Sequence, residues 1–185
     1  MRLVACAETA SHTALMRRVW TIACTLLAAA ACAASFTHIK DLVLYNPSPS
    51  VPVGFYWRTD EAPELGDYVT VRAADVAPRY AALRGFADAD DRFIKRVAAG
   101  GGTRVCASAT LVHIGADITL TRHLTDSANR PLPSWSGCRV LAEDEVFLLG
   151  DTDDSFDSRY WGPVRTQSIE GVWRRLRLQR GDGDA

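Results

Sequence analysis

Three prolines restrict the most constrained stretch of the chain, residues 46–57, which reads NPSPSVPVGFYW. Each proline fixes its own φ angle and pushes the residue before it towards extended geometry. Ser48 precedes Pro49, and Ser50 lies between Pro49 and Pro52, so a stiff, extended turn is predicted at Ser50. A hydroxyl held in this way suits a nucleophile, because little conformational entropy remains to be lost. A proline-rich linker behind a membrane anchor is the alternative.

An uncharged segment, residues 19–36, comes before this stretch. At about 1.5 Å per residue, a helix of this length spans roughly 27 Å, close to the thickness of a bilayer core. Arg17 and Arg18 stand directly before it, so the positive-inside rule places a tail of residues 1–18 in the cytoplasm and everything after about residue 37 outside. The segment is rich in alanine, so a cleaved signal peptide is the alternative to a single transmembrane anchor.

The remaining chain is predicted to form one mainly β domain over residues 40–175, followed by a flexible tail over residues 176–185. Short alternating or turn-bounded runs at 68–71, 92–98 and 111–120 indicate strands. The hydrophobic content of 48% supports one ordinary core, and the net charge is only −1. Because no basic patch is interleaved with aromatic residues, no nucleic-acid partner is expected.

The strand predicted over residues 92–98 carries a lysine among apolar residues. Alternation places Phe93, Lys95 and Val97 on one face of this strand. Such a lysine either lies at an edge with its aliphatic stem packed, or is buried. Lysine is rarely fully buried in proteins, which favours the edge arrangement. A buried amine would have a lowered pKa and could act as a base.

Two of the five cysteines, Cys106 and Cys138, lie in the predicted outer domain, and the other three lie in the tail or the span. An isolated pair in an oxidising compartment predicts one disulfide. Metal binding together with His113 and His123 is the alternative, but the spacings match no usual zinc pattern. We therefore expect no metal and no cofactor.

A third segment, residues 150–162, reads GDTDDSFDSRYWG. Its aspartates suggest a calcium loop, but Phe156 occupies the position where an EF-hand loop needs glycine. An ion pair between Arg159 and either Asp151 or Asp157 fits better, as a buried structural brace.

Three separated segments together resemble the sequence boxes of type I signal peptidases. They are Ser-x-Ser-x-Pro-x-Gly at 48–54, Phe-Ile-Lys-Arg-Val at 93–97 and Gly-Asp-x-x-Asp-Ser-x-Asp-Ser-Arg-Tyr-Trp-Gly at 150–162. The single residue between the second serine and the proline, followed by Gly-Phe-Tyr, is most similar to the TraF-type signal peptidases of conjugative plasmid transfer. The resemblance covers roughly residues 40–175. It departs from the family at 101–103, where Gly-Gly-Thr replaces the usual Gly-Asp.

The resemblance implies a serine endopeptidase in which Ser50 is the nucleophile and Lys95 is the general base. A serine hydroxyl is unreactive at neutral pH without an adjacent base. The lysine amine must be neutral to accept a proton, and burial beside Phe93 and Val97 would lower its pKa.

The resemblance also implies supporting roles. The Ser48 hydroxyl and the Ser50 backbone N–H would form the oxyanion hole, and the Ser155 hydroxyl would help to orient the lysine amine. Asp157 and Arg159 would brace the third segment.

By the same resemblance, the fold is a β-rich signal-peptidase catalytic domain behind one N-terminal transmembrane helix in the inner membrane, with the domain in the periplasm. The implied substrate is an exported precursor cut after a small residue, specifically a pilin-like subunit of a conjugation system. Two alternatives are a general secretory signal peptidase I and a non-enzymatic, membrane-anchored assembly factor of the same fold.

Overall fold

The computed structural model describes residues 16–30, 42–86, 88 and 90–176. The chain divides into two units between Leu42 and Val43. In the first unit, residues 16–30 form helix α1. No helix of the described residues combines the length and apolarity needed to cross a membrane. Residues 31–36 of the predicted span lie outside the described residues.

The second unit contains two antiparallel sheets. The larger one has seven strands in the order β1-β2-β11-β3-β4-β9-β10, and the smaller one has the order β7-β6-β5-β8. The strands of the larger sheet are β1 (Val43–Asn46), β2 (Gly54–Thr59), β3 (Tyr68–Arg72), β4 (Arg92–Ala99), β9 (Glu145–Leu149), β10 (Val164–Arg165) and β11 (Ile169–Arg175). Those of the smaller sheet are β5 (Arg104–Ala107), β6 (Leu111–Ile114), β7 (Ile118–Thr121) and β8 (Gly137–Val140).

Short helices lie outside the strands. They are α2 (Ala73–Val76), α3 (Pro78–Leu83) and α4 (Ser158–Trp161), with a 3-10 turn at Thr166–Ser168. The prediction of a mainly β domain is therefore confirmed. The strands expected at 68–71 and 92–98 are β3 and β4, and the run at 111–120 forms the two strands β6 and β7.

The larger sheet is covered on both faces. Successive side chains of a strand point to opposite faces, and β4 accordingly contributes Ile94 to one apolar cluster and Val97 to another. The Val97 cluster also contains Val69, Val71, Val146, Leu148, Val164 and Val172, and the Ile94 cluster contains Val51, Tyr56 and Trp173. Strand β4 lies between β3 and β9, so its middle residues are shielded from solvent.

The smaller sheet has its own core and a covalent cross-link. Its core residues pack around Phe147 of β9, which connects them to the larger sheet. Cys106 of β5 lies opposite Cys138 of β8, and the two form a disulfide across 32 residues of chain.

Candidate active site

The β1–β2 hairpin presents the two serines in its connecting loop, residues 47–53. Strand pairing ends where Asn46 lies opposite Gly54, so the loop begins and ends at one place. Ser50 lies in a turn, as the prolines predict. Its backbone carbonyl accepts a hydrogen bond of 2.6 Å from the Asp151 N–H, which attaches the loop to the third segment.

Lys95 reaches this loop from the middle of β4. Its Nζ atom lies 2.9 Å from Ser50 Oγ, and the residue is only 4% exposed. Burial lowers the pKa of Lys95 to about 8, although the negative charges of Asp157 and Asp151 oppose the shift. The structure therefore pairs the serine hydroxyl with an amine that can lose its proton near neutral pH.

Ser48 lies directly beside the nucleophile candidate. Its hydroxyl donates to Ser50 Oγ at 3.1 Å, and its oxygen accepts the Ser50 backbone N–H at 3.3 Å. The two donors expected for an oxyanion hole, the Ser48 hydroxyl and the Ser50 N–H, thus lie next to each other and are joined by a hydrogen bond in this structure.

Asp157 and Arg159 form a buried, two-pronged ion pair. Arg159 Nε and Nη2 donate to the two carboxylate oxygens of Asp157 at 2.9 and 2.8 Å, and the residues are 2% and 0% exposed. Asp157 also accepts the Gly150 N–H at 2.8 Å. The remaining guanidinium hydrogens bond to the backbone carbonyls of Thr152, Asp153 and Ser155. A charge buried in this way needs such a full set of partners.

Ser155 lies in the same cavity as Ser50 and Lys95, and it is buried. Among the described residues, its hydroxyl bonds to the Thr152 hydroxyl at 3.0 Å, and the structure shows no hydrogen bond from it to Lys95. Ser155 therefore lines the cavity, and its described hydrogen bond goes to Thr152.

An ion pair between Arg96 and Asp151 was not identified from the sequence. Arg96 Nε and Nη2 donate to Asp151 Oδ1 and Oδ2 at 2.9 and 2.8 Å. Arg96 follows Lys95, and the Asp151 N–H donates to the Ser50 carbonyl, so this pair connects the strand of Lys95 to the loop of Ser50. The sequence suggested Asp151 only as a possible partner of Arg159, which pairs with Asp157 instead. The position of Arg96 directly after Lys95 was the available signal.

A cavity of about 790 Å³ opens in front of Ser50 and Lys95. Its floor is aromatic and centres on Phe156, whose ring centroid lies 4.0 Å from that of Tyr80 and 5.7 Å from that of Phe93. The Tyr80 hydroxyl also donates to Asp126 at 2.9 Å, which joins α3 to the loop after β7. A cavity of this size and lining can hold several residues of an extended, partly apolar peptide.

The β1–β2 hairpin also exposes aromatic side chains. Tyr45, Phe55 and Trp57 are each about half exposed, whereas Tyr56 is fully buried. From the sequence, these residues could equally have formed part of the core or an interfacial surface, and the structure assigns only Tyr56 to the core.

Known proteins resemble this chain over most of its length. The family model described as signal peptidase, peptidase S26, matches residues 15–176. A plasmid transfer protein TraF of Escherichia coli is 34% identical over 140 residues, which cover 70% of this chain and 79% of that protein. A probable conjugal transfer protein TraF of Sinorhizobium fredii is 31% identical over 145 residues, which cover 69% and 72% respectively. A signal peptidase I structure from Enterococcus faecalis aligns at 24% identity and a TM-score of 0.35, covering 62% of this chain and 98% of that one.

Proposed function

This chain belongs to the signal peptidase family, peptidase S26, and we propose that it is a serine endopeptidase with Ser50 and Lys95 as its catalytic dyad. The observation that carries the proposal is the 2.9 Å distance between Lys95 Nζ and Ser50 Oγ, at a lysine that is almost fully buried. A hydroxyl next to a desolvated amine is what a serine nucleophile without a histidine requires.

The proposed reaction begins when neutral Lys95 takes the Ser50 hydroxyl proton while the oxygen attacks the carbonyl carbon of the substrate. The tetrahedral oxyanion is held by the Ser48 hydroxyl and the Ser50 N–H. The lysine ammonium then gives its proton to the leaving amine, and an acyl ester on Ser50 remains. Lys95 activates a water molecule that hydrolyses this ester, which restores the free enzyme.

The lowered pKa determines how much of the enzyme is active. With a pKa of about 8, roughly one Lys95 amine in ten is neutral at pH 7, whereas an ordinary lysine would be neutral in only about one molecule in 2,500. Activity should therefore rise with pH through about 8.

The proposed substrate is an exported precursor, specifically a pilin-like subunit of a conjugation system. Identity of 31% and 34% to proteins of plasmid and conjugal transfer supports this specialised role over that of a general secretory signal peptidase. The aromatic cavity supports an extended peptide as the bound form.

We also propose that residues 19–36 anchor the chain in the inner membrane, with the catalytic domain in the periplasm. The support comes from the absence of charge in this segment and from the arginines at 17 and 18. Cleavage would then take place where the substrate emerges from the bilayer.

Site variants test the proposal against a non-enzymatic assembly factor of the same fold. Ser50→Ala and Lys95→Ala should each abolish cleavage by the purified full-length chain. The probes are a pilin-like precursor encoded nearby and a library of internally quenched peptides with alanine at the cleaved position. Because the two residues act as one unit, the double variant should be no worse than either single variant.

Ser134→Ala is the matched control, since Ser134 is exposed and does not line the cavity. It should cleave like the wild type. If the chain is an assembly factor instead, no precursor should be cut, and Ser50→Ala should leave the frequency of conjugative plasmid transfer unchanged.

A further inference from the structure

The Asn46 side chain is buried, with 3% exposure, at the end of β1. Its Oδ1 atom accepts the Ser48 N–H at 3.0 Å. Its Nδ2 atom lies 2.7 Å from the carbonyl oxygen of Ser48, 3.1 Å from that of Val51 and 3.3 Å from that of Pro52. One amide group therefore binds Ser48 through both its N–H and its carbonyl.

The composition of the loop explains why it needs such a partner. The prolines at 47, 49 and 52 have no N–H, so the loop cannot satisfy its carbonyls with its own backbone donors. The Val51 carbonyl is buried, and a buried carbonyl without a partner is costly. The Asn46 amide supplies donors that the backbone lacks. Its Oδ1 atom accepts the N–H of residue i+2, which is the usual geometry of an asparagine-stabilised turn.

Asn46 matters more for the position of Ser48 than for the position of Ser50. Ser50 is held independently, by Lys95 at its Oγ atom and by the Asp151 N–H at its carbonyl. Within the described residues, the hydrogen bonds of Ser48 go only to Asn46 and Ser50. Asn46 therefore holds the Ser48 backbone at both its N–H and its carbonyl, and the hydroxyl reaches Ser50 from that backbone.

We propose that Asn46 is a positioning residue of the oxyanion hole, which keeps the Ser48 hydroxyl beside Ser50 Oγ. This inference rests on the proposed function, because an oxyanion hole matters only if Ser50 attacks a peptide bond. The negative charge develops only in the transition state, so loss of Asn46 lowers kcat and leaves KM unchanged. The expected fall is about 10- to 100-fold, less than the roughly 100- to 1000-fold typical when a donor itself is removed.

Two variants and a matched control test the inference in the purified full-length chain. The probe is the library peptide with alanine at the cleaved position that the wild type cleaves fastest. Asn46→Ala removes every bond, and Asn46→Asp keeps the acceptor for the Ser48 N–H but loses both donors; kcat should fall in both. Tyr56→Phe is the control, because the buried Tyr56 hydroxyl donates to the Pro52 carbonyl of the same loop and does not bond to Ser48.

In Tyr56→Phe, kcat should stay within about threefold of the wild-type value. An equal loss in Tyr56→Phe and Asn46→Ala would mean that any loosening of the loop impairs the enzyme, and it would overturn the inference. A rise in KM at unchanged kcat would also overturn it, because that result indicates substrate binding.

A double-variant cycle with Ser48→Ala separates positioning from other roles. If Asn46 acts through the Ser48 hydroxyl, Asn46→Ala should cost little further rate in the Ser48→Ala background. The pH of half-maximal kcat should stay at the wild-type value, because the Asn46 hydrogen bonds in the described structure go to the loop and not to Lys95. A full additional loss in that background, or a displaced pH profile, would contradict the inference.

A readout without catalysis distinguishes this inference from the proposed function. If the wild type cleaves none of the peptides, the proposed function fails, and amide hydrogen exchange still tests the arrangement. Protection of the Ser48 N–H should be lost in Asn46→Ala and retained in Tyr56→Phe. Unchanged protection in Asn46→Ala would refute the role of Asn46 in holding Ser48.

Discussion

Lys95 lies in the middle of β4, and both neighbouring strands and the apolar cluster below it keep water from its amine. The burial that lowers the pKa of Lys95 also makes this residue costly to the fold, because the charged form is disfavoured there. Its folded pKa of about 8 lies below the unfolded value of about 10.4. The resulting penalty to folding is complete below pH 8, decreases between pH 8 and 10.4, and vanishes above that range.

Lys95→Met should therefore stabilise the protein while abolishing cleavage. Methionine removes the charge at similar volume, so the gain in the free energy of unfolding should be larger at pH 6 than at pH 10, by on the order of 2 kcal/mol. Urea unfolding of the wild type and the variant at both pH values measures this gain. An equal effect at the two pH values would mean that the pKa of Lys95 is the same in the folded and unfolded chains.

Residue-level prediction from the sequence reached its limit at this lysine. Alternation correctly placed Lys95 on the face of Phe93 and Val97. Because lysine side chains are rarely fully buried in proteins, however, an exposed lysine at a sheet edge was favoured. The deciding fact is the position of β4 between β3 and β9, and that order is not visible in any single segment.

At the scale of elements, the site is formed where the β1–β2 loop, β4 and the segment after β9 meet. Gly150 directly follows β9, and it packs so closely that an added Cβ atom would overlap the Ser155 side chain and lie 2.8 Å from the Ser50 carbonyl oxygen. Residue 150 must therefore be glycine, because the Ser155 side chain and the Ser50 loop leave no room for a Cβ atom.

Gly150→Ala should displace the Ser50 loop and lower kcat, with a loss of stability of about 1–3 kcal/mol typical of overpacking. Gly100→Ala is the matched control, because nothing lies within 4 Å of its Cβ position. Peptide cleavage and thermal melting of the two variants check the prediction. Wild-type kcat in Gly150→Ala would show that the loop and β9 are less tightly packed than described.

Elements close in sequence were predictable, whereas contacts between distant elements were not. The β6–β7 hairpin follows from a turn at Gly115 and local alternation. The Arg96–Asp151 pair and the Asn46 hydrogen bonds depend on strands and loops that meet only in the folded chain. Their partners looked like ordinary polar residues in the sequence.

For the whole molecule, the larger sheet is assembled from distant parts of the chain. Strand β11 lies between β2 and β3, so the last described strand completes the sheet that supports the site. Sequence analysis identified the mainly β class, and the resemblance identified the family. The strand order remained hidden, because it depends on pairing between residues that are about 100 positions apart.

The disulfide belongs to the smaller sheet, whereas Lys95 and the Ser50 loop belong to the larger one. The Cys106–Cys138 bond closes a loop of 32 residues, which in the chain-entropy model contributes about 3–4 kcal/mol. Replacing both cysteines by alanine should lower stability by about that amount and leave kcat within a few-fold of the wild-type value. Mass mapping of non-reduced, alkylated protein tests the bond itself. Alkylation of both Cys106 and Cys138 after periplasmic expression would contradict it.

The central claim, a buried Lys95 that can be neutral beside Ser50, is tested most directly by NMR titration of the lysine amines. The chain contains only two lysines, Lys40 and Lys95, so isotope labelling gives two assignable resonances, and Lys95→Met identifies the one of interest. We predict a Lys95 pKa near 8 in the wild type, and also in Ser50→Ala because burial causes the shift. A Lys95 resonance that titrates near 10.4, the ordinary lysine value, would contradict the account.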